Sequence, residues 1–183
     1  MTKTVFIVRH CQADGQSPDA WITTDGQARA AALADLLEPM GVERIVSSPF
    51  VRAHQSILPL AERLGLPIDV DNRLAERVLG VNGPDWLDRL RATFLDFDLR
   101  FPGGESNREA MTRGVAAVDD ALRRDVATIV IVTHGNLLTL LLRHFDPRFG
   151  FDQWLDLTNP DVFRVAVGDT EASVVRVWRS SDE

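Results

Sequence analysis

One cysteine, Cys11, stands in a chain of 183 residues, so no intrachain disulfide framework can form. A reducing, cytoplasmic setting is the simpler reading of that single thiol. Long apolar runs are also missing. No segment approaches the roughly 18 apolar residues of a membrane span, and the stretch before Arg9 is too short for a secretory signal core, whose removal would also take away Arg9 and His10. Basic residues are not in excess: 20 Lys and Arg face 27 Asp and Glu, a net charge of −7. That balance argues against a nucleic-acid or acidic-membrane surface, and any anion site has to be a local cluster of arginines. Histidines at close ligand spacing are absent, so no metal is expected. Internal repeats, low-complexity tracts and linkers are absent as well. What is present, 45% hydrophobic and 26% charged residues, suits one domain over 1–183 with a buried core.

Residues 4–8 read as a buried strand, and Thr23-Thr24-Asp25-Gly26 introduces a helix over 27–40 that Gly41 ends. A strand over 44–48 and a helix over 49–64 follow, with Pro49 in the first turn, Gly65 as the stop, and Pro59 expected to kink or split the helix. Residues 68–70 form a short third strand. Ser106 and Glu109, at capping-box spacing, mark the start of a helix over 109–124. The β-branched segment 127–133 is a strand with a helix over 137–144 behind it, and 162–167 and 172–178 are strands around the turn Gly168-Asp169-Thr170. This alternation predicts an α/β fold, a three-layer α/β/α sandwich around a mostly parallel sheet. Segment 79–104 breaks the pattern and is expected to cap the pocket. Trp86, Leu90 and Phe94 recur every fourth residue, which predicts a helix packing them inward, with Arg89, Arg91 and Arg100 solvated.

Two of the apolar strands end in histidine. Val5-Phe6-Ile7-Val8 runs into Arg9-His10, and Ile129-Val130-Ile131-Val132 runs into Thr133-His134-Gly135. The carboxyl ends of parallel strands share one sheet edge, where ligands bind, so the two histidines can meet. Arginine beside histidine points to phosphate, which guanidinium matches with a planar, permanently charged donor fork. Histidine-based phosphoryl transfer needs a neutral imidazole nucleophile, cations on the equatorial oxygens and an acid for the leaving group. His10 supplies the nucleophile, Arg9 and Arg52 the clamp, His134 a further donor, and Glu76 the proton. Gly135-Asn136 opens a helix whose free N–H groups would add to the anion site.

In order along the chain stand Arg9-His10, Ile22-Thr23-Thr24-Asp25-Gly26, Ser47-Ser48-Pro49 with Arg52-Ala53 and Gln55-Ser56, Leu74-Ala75-Glu76, Gly104-Glu105-Ser106 and Thr133-His134-Gly135. With these motifs the chain resembles the histidine phosphatase superfamily, the phosphoglycerate-mutase-like enzymes. The resemblance implies that His10 becomes a phosphohistidine, that Arg9, Arg52 and His134 bind phosphate, and that Glu76 is the acid. Two departures stand out. The family's glycine after the first histidine is Cys11, whose side chain is expected to crowd the phosphate or restrict the backbone. The family's asparagine six positions after the histidine is Gln16, carried over as a phosphate ligand on a longer arm.

The reading is a metal-independent phosphatase that hydrolyses a small phosphorylated metabolite without a cofactor. Three rivals use the same residues: a mutase that returns the phosphoryl group to a sugar acid, a protein phosphohistidine phosphatase, and a phospho-ligand binding module without catalysis. Only residues 179–183 follow the last strand, which predicts a site open to water and favours hydrolysis over the mutase. The 79–104 cap argues against a protein substrate. His54 and His144 lie outside the motifs and read as structural. Cys11 is no cysteine-phosphatase nucleophile, because Ser17 stands where that scheme needs arginine, and Gly103-Gly104 lacks the lysine of a phosphate-binding loop. Oligomeric state leaves no signal.

Overall fold

The computed structural model describes residues 2–80, 83–168 and 170–178. Asp169 of the expected turn lies outside them, as does the 179–183 tail on which the open-site argument rested. Six strands, β1 (Lys3–Arg9), β2 (Arg44–Ser47), β3 (Ile68–Val70), β4 (Thr128–Thr133), β5 (Asp161–Val167) and β6 (Ala172–Arg176), form one sheet in the order β3-β2-β4-β1-β5-β6. The pairings β3/β2, β2/β4 and β4/β1 are parallel, whereas β5 runs antiparallel to both β1 and β6. Among the described residues six α-helices accompany them: α1 (Thr24–Leu37), α2 (Val51–Leu64), α3 (Trp86–Leu95), α4 (Asn107–Leu122), α5 (Gly135–Phe145) and α6 (Phe151–Leu155).

Alternation along β1 divides the core into two layers. Val5 and Ile7 join Ile129, Ile131 and the apolar faces of α4 and α5, while Phe6 and Val8 join Val130, Val132 and those of α1 and α2. Because both faces are covered, the middles of β1 (Val5 to Val8) and β4 (Ile129 to Val132) are continuous apolar runs rather than alternating with polar residues. The chain leaves β1 toward one face and β4 toward the other. These two strands are neighbours, so their carboxyl ends form the switch point at which ligands of such sheets bind.

Helix starts follow the caps. The Thr23 hydroxyl accepts the Gly26 N–H at 2.9 Å, so α1 begins three residues before the sequence expectation, and residues 38–40 form a separate 3-10 turn ending at Gly41 in the left-handed region. Ser106 and Glu109 make the expected reciprocal capping box at α4. Pro59 does not split α2, which runs unbroken through it. In α3, Leu90 is buried and Phe94 packs on the core, but Trp86 is 46% exposed and meets Trp154 edge-on at 6.1 Å. The expectation of an inward Trp86 is therefore corrected: at the start of α3 its ring rests against Trp154 of the short helix α6 and stays half-exposed.

Candidate active site

Register brings the two histidines together. Arg9 pairs with Thr133 across β1 and β4, so the next residues, His10 and His134, emerge side by side with ring centroids 5.0 Å apart. Phe50 packs edge-on against His134 at 4.7 Å and lies under the Arg52 guanidinium at 4.8 Å.

Hydrogen bonds fix the tautomer of His10. Its Nδ1 lies 2.6 Å from the Cys11 carbonyl, which only accepts, so Nδ1 carries the proton. Its Nε2 receives the Arg52 Nε–H at 3.1 Å and therefore presents a lone pair. Burial pushes the imidazole down to about 3; the Cys11 hydrogen bond opposes this, and the Arg52 and Arg9 charges add to it. His10 is thus neutral near neutral pH, with a lone pair at Nε2. His134 is fully buried, with its Nε2 2.7 Å from the Ser48 hydroxyl and its Nδ1 without a partner. Burial, then the His10 and arginine charges, holds it well below the usual imidazole range.

The arginines are set by backbone carbonyls. Arg9 Nη1 donates to Leu157 and Thr158 oxygens at 3.2 and 3.3 Å, and Arg52 Nη1 donates to those of Ser17 at 2.7 Å and Gln16 at 3.3 Å. Carbonyls orient a guanidinium without neutralising it, so both stay available to an anion. Gly135 makes room for Arg9: a Cβ there would lie 3.1–3.2 Å from the guanidinium. Gln16 is exposed and contributes its backbone carbonyl, while its amide makes no hydrogen bond among the described residues.

Glu76 occupies the start of α5. Its Oε1 accepts the N–H groups of Arg77 at 2.8 Å and Leu137 at 3.0 Å, and its Oε2 accepts that of Asn136 at 3.1 Å. The N–H groups expected to hold phosphate are thus taken by a carboxylate, which the helix N-terminus favours equally. Oε2, with one partner, keeps capacity for a proton. Arg113 steadies this loop by donating to the Arg73 and Ala75 carbonyls at 2.6 and 2.9 Å, with its other edge on Glu105.

Cys11 does not crowd the site. Its side chain is fully buried with Ile22 and Ala30, where burial pushes the thiol up to about 11. No non-glycine residue here has positive φ, so the position never required glycine.

Sequence reasoning gave no role to Ser48, Ser56, Arg77 or Asn159. The serines lie inside quoted motifs, but only folding shows what they touch. Arg77 is 4% exposed, and all three of its guanidinium nitrogens are buried without a partner. No spacing signal marked Asn159. Among the described residues no cluster of three or more His, Cys, Asp or Glu side chains could hold a metal ion, and no helix is long and apolar enough to cross a membrane.

Two arginines free of carboxylate partners around a neutral histidine, at the edge of such a sheet, form a site suited to phosphoryl transfer. The chain belongs to the histidine phosphatase superfamily, branch 1, whose model matches residues 5–179. It is 30% identical over 156 residues to the "probable phosphoglycerate mutase GpmB" of Enterobacter sp., covering 75% of this chain and 72% of that protein. It is 27% identical over 169 residues to glucosyl-3-phosphoglycerate phosphatase of Mycolicibacterium vanbaalenii, covering 76% and 72%. Among solved structures, the native mycobacterial glucosyl-3-phosphoglycerate phosphatase superposes with a TM-score of 0.78 at 26% identity, over 99% of this chain and 100% of that one. The chain is accordingly a phosphoric monoester hydrolase of the histidine phosphatase type.

Proposed function

We propose that the protein hydrolyses the phosphomonoester of a small, acidic metabolite through a phosphohistidine on His10, without a metal. The observation that carries this is the neutral His10 imidazole, its Nδ1 proton committed to the Cys11 carbonyl and its Nε2 lone pair in front of Arg52. Nε2 attacks phosphorus and the ester P–O bond breaks. Arg9, Arg52 and the free Nδ1 edge of His134 take the charge of the equatorial oxygens. Glu76 passes a proton from Oε2 to the departing alkoxide. Water then attacks the phosphohistidine, the P–N bond breaks, its electron pair returns to Nε2, and Glu76 takes the proton.

An acidic substrate is supported by Arg77. A buried guanidinium with no hydrogen-bond partner is costly even with the Glu105 and Glu76 charges acting on it, and an anionic group on the substrate would satisfy it. Both named relatives are phosphoglycerate enzymes by name. Residues 79–104, carrying α3, would cap the pocket. A substrate of this kind and the single buried cysteine support a cytoplasmic setting.

The test is phosphate release from an aryl phosphate by wild type and His10→Ala with a chelator present. Turnover in wild type alone, with an acid-labile phosphoenzyme on quenching, is the expected result. Turnover that survives in His10→Ala overturns it. The mutase reading, favoured by the first named relative, predicts isomerised phosphoglycerate forming faster than free phosphate.

A further inference from the structure

The peptide group joining His10 to Cys11 is gripped at both ends by side chains from distant parts of the chain. Its carbonyl oxygen accepts from Asn159 Nδ2 at 3.0 Å, and its N–H donates to the Ser56 hydroxyl at 2.8 Å. Neither partner is free to drift. Ser56 donates in turn to the Arg52 carbonyl at 2.6 Å, one turn back along α2. Asn159 lies in a segment pinned by Asp161, a fully buried carboxylate that accepts from the N–H groups of Thr158 and Val162 and is held by the Arg176 guanidinium of β6. That segment also supplies the Leu157 and Thr158 carbonyls that hold Arg9.

We propose that Asn159 and Ser56 are positioning residues that together set the tautomer of the nucleophile. Gripping the His10–Cys11 peptide fixes the backbone on the near side of Cys11. The Gln12 carbonyl, held by the Thr23 N–H at 3.0 Å, fixes the far side. The Cys11 carbonyl between them is thereby aimed at His10 Nδ1, 2.6 Å away. If that carbonyl turns away, only the Arg52 Nε–H still opposes movement of the proton to Nε2, where it would take up the lone pair needed for attack. The antiparallel β5–β6 hairpin then has a catalytic purpose, because its Asp161–Arg176 pair anchors one arm of the grip.

The inference rests on His10 being the nucleophile, but its test does not require turnover. The two ring nitrogens of a histidine have distinct nitrogen-15 shifts, so the tautomer can be read in the resting protein. In wild type His10 is expected entirely as the Nδ1–H form. Asn159→Asp keeps the shape but replaces the donor with an acceptor, and Ser56→Ala removes the hydroxyl. Each is expected to bring in the Nε2–H form and lower kcat about tenfold, with KM changed less than twofold, in protein that still melts cooperatively. Because both act on one peptide group, the double variant should be no worse than the more damaged single one. An unchanged tautomer in both single variants overturns the proposal whatever the activity. So does a double variant whose loss is the product of the two. Asn159→Asp that behaves as wild type while Asn159→Ala is impaired would reduce Asn159 to packing and overturn it as well.

Discussion

The site predicts that His10, the proposed nucleophile, does not titrate in the range usual for histidine. Lowering the pH is the perturbation, and its size follows from the depression of His10 from 6.5 to about 3, caused first by burial and then by Arg52 and Arg9. At pH 4.5 an ordinary imidazole is about 1% neutral, whereas one at about 3 is about 97% neutral. The two cases thus differ about 100-fold in available nucleophile. The assay is titration of the His10 ring resonances in resting protein, alongside the pH profile of kcat/KM. Any acid limb above pH 4.5 should then not belong to His10, whose shifts should stay flat from pH 8 to 4.5. A His10 midpoint near 6.5 would refute the burial argument. The same depression acts on folding. Below 6.5 the unfolded chain binds protons that native His10 and His134 refuse. Stability from these groups is therefore complete above pH 6.5 and is lost as pH falls below it, for His10 down to about 3 and at up to about 1.4 kcal/mol per pH unit. Chemical denaturation at pH 7 and pH 5 measures it.

Gly135→Ala puts a methyl group 3.1–3.2 Å from the Arg9 guanidinium, closer than ordinary contact, so Arg9 has to shift by a few tenths of an ångström. A loss of about tenfold in kcat/KM with a nearly unchanged melting temperature is expected, and full activity would show that Arg9 placement is not critical. Arg77→Met removes a buried cation without a partner. It should raise stability by about 1–3 kcal/mol while raising KM for acidic phosphate esters and sparing a neutral aryl phosphate; a fall in melting temperature would contradict this. Cys11→Gly should bring no gain in turnover and cost about 1–2 kcal/mol, because the side chain fills a buried cluster with Ile22 and Ala30.

The layered fold was legible because apolar runs and caps are local signals. Val5 to Val8 and Ile129 to Val132 are apolar throughout, as strands buried on both faces must be, and Ser106 with Glu109 announces a helix start by spacing alone. His10 and His134 could be paired on paper for the same reason, since each follows a strand. Direction was less legible. Nothing local says that β5 runs against β1, and that reversal places Asp161 opposite Arg9 and Asn159 on the His10 carbonyl. The side chain of Cys11 was misjudged because its burial depends on α1 packing behind it. Likewise, the N–H groups at the start of α5 belong to Glu76 because β3 and the 3-10 turn after it deliver a carboxylate there. By itself the sequence determined which elements form and which chemical groups stand at their ends, because periodicity and capping act over a few residues. Only the tertiary structure decided which nitrogen of His10 carries the proton, which arginines stay free of carboxylates and which stays without a partner, because those depend on atoms brought within about 3 Å from opposite ends of the chain.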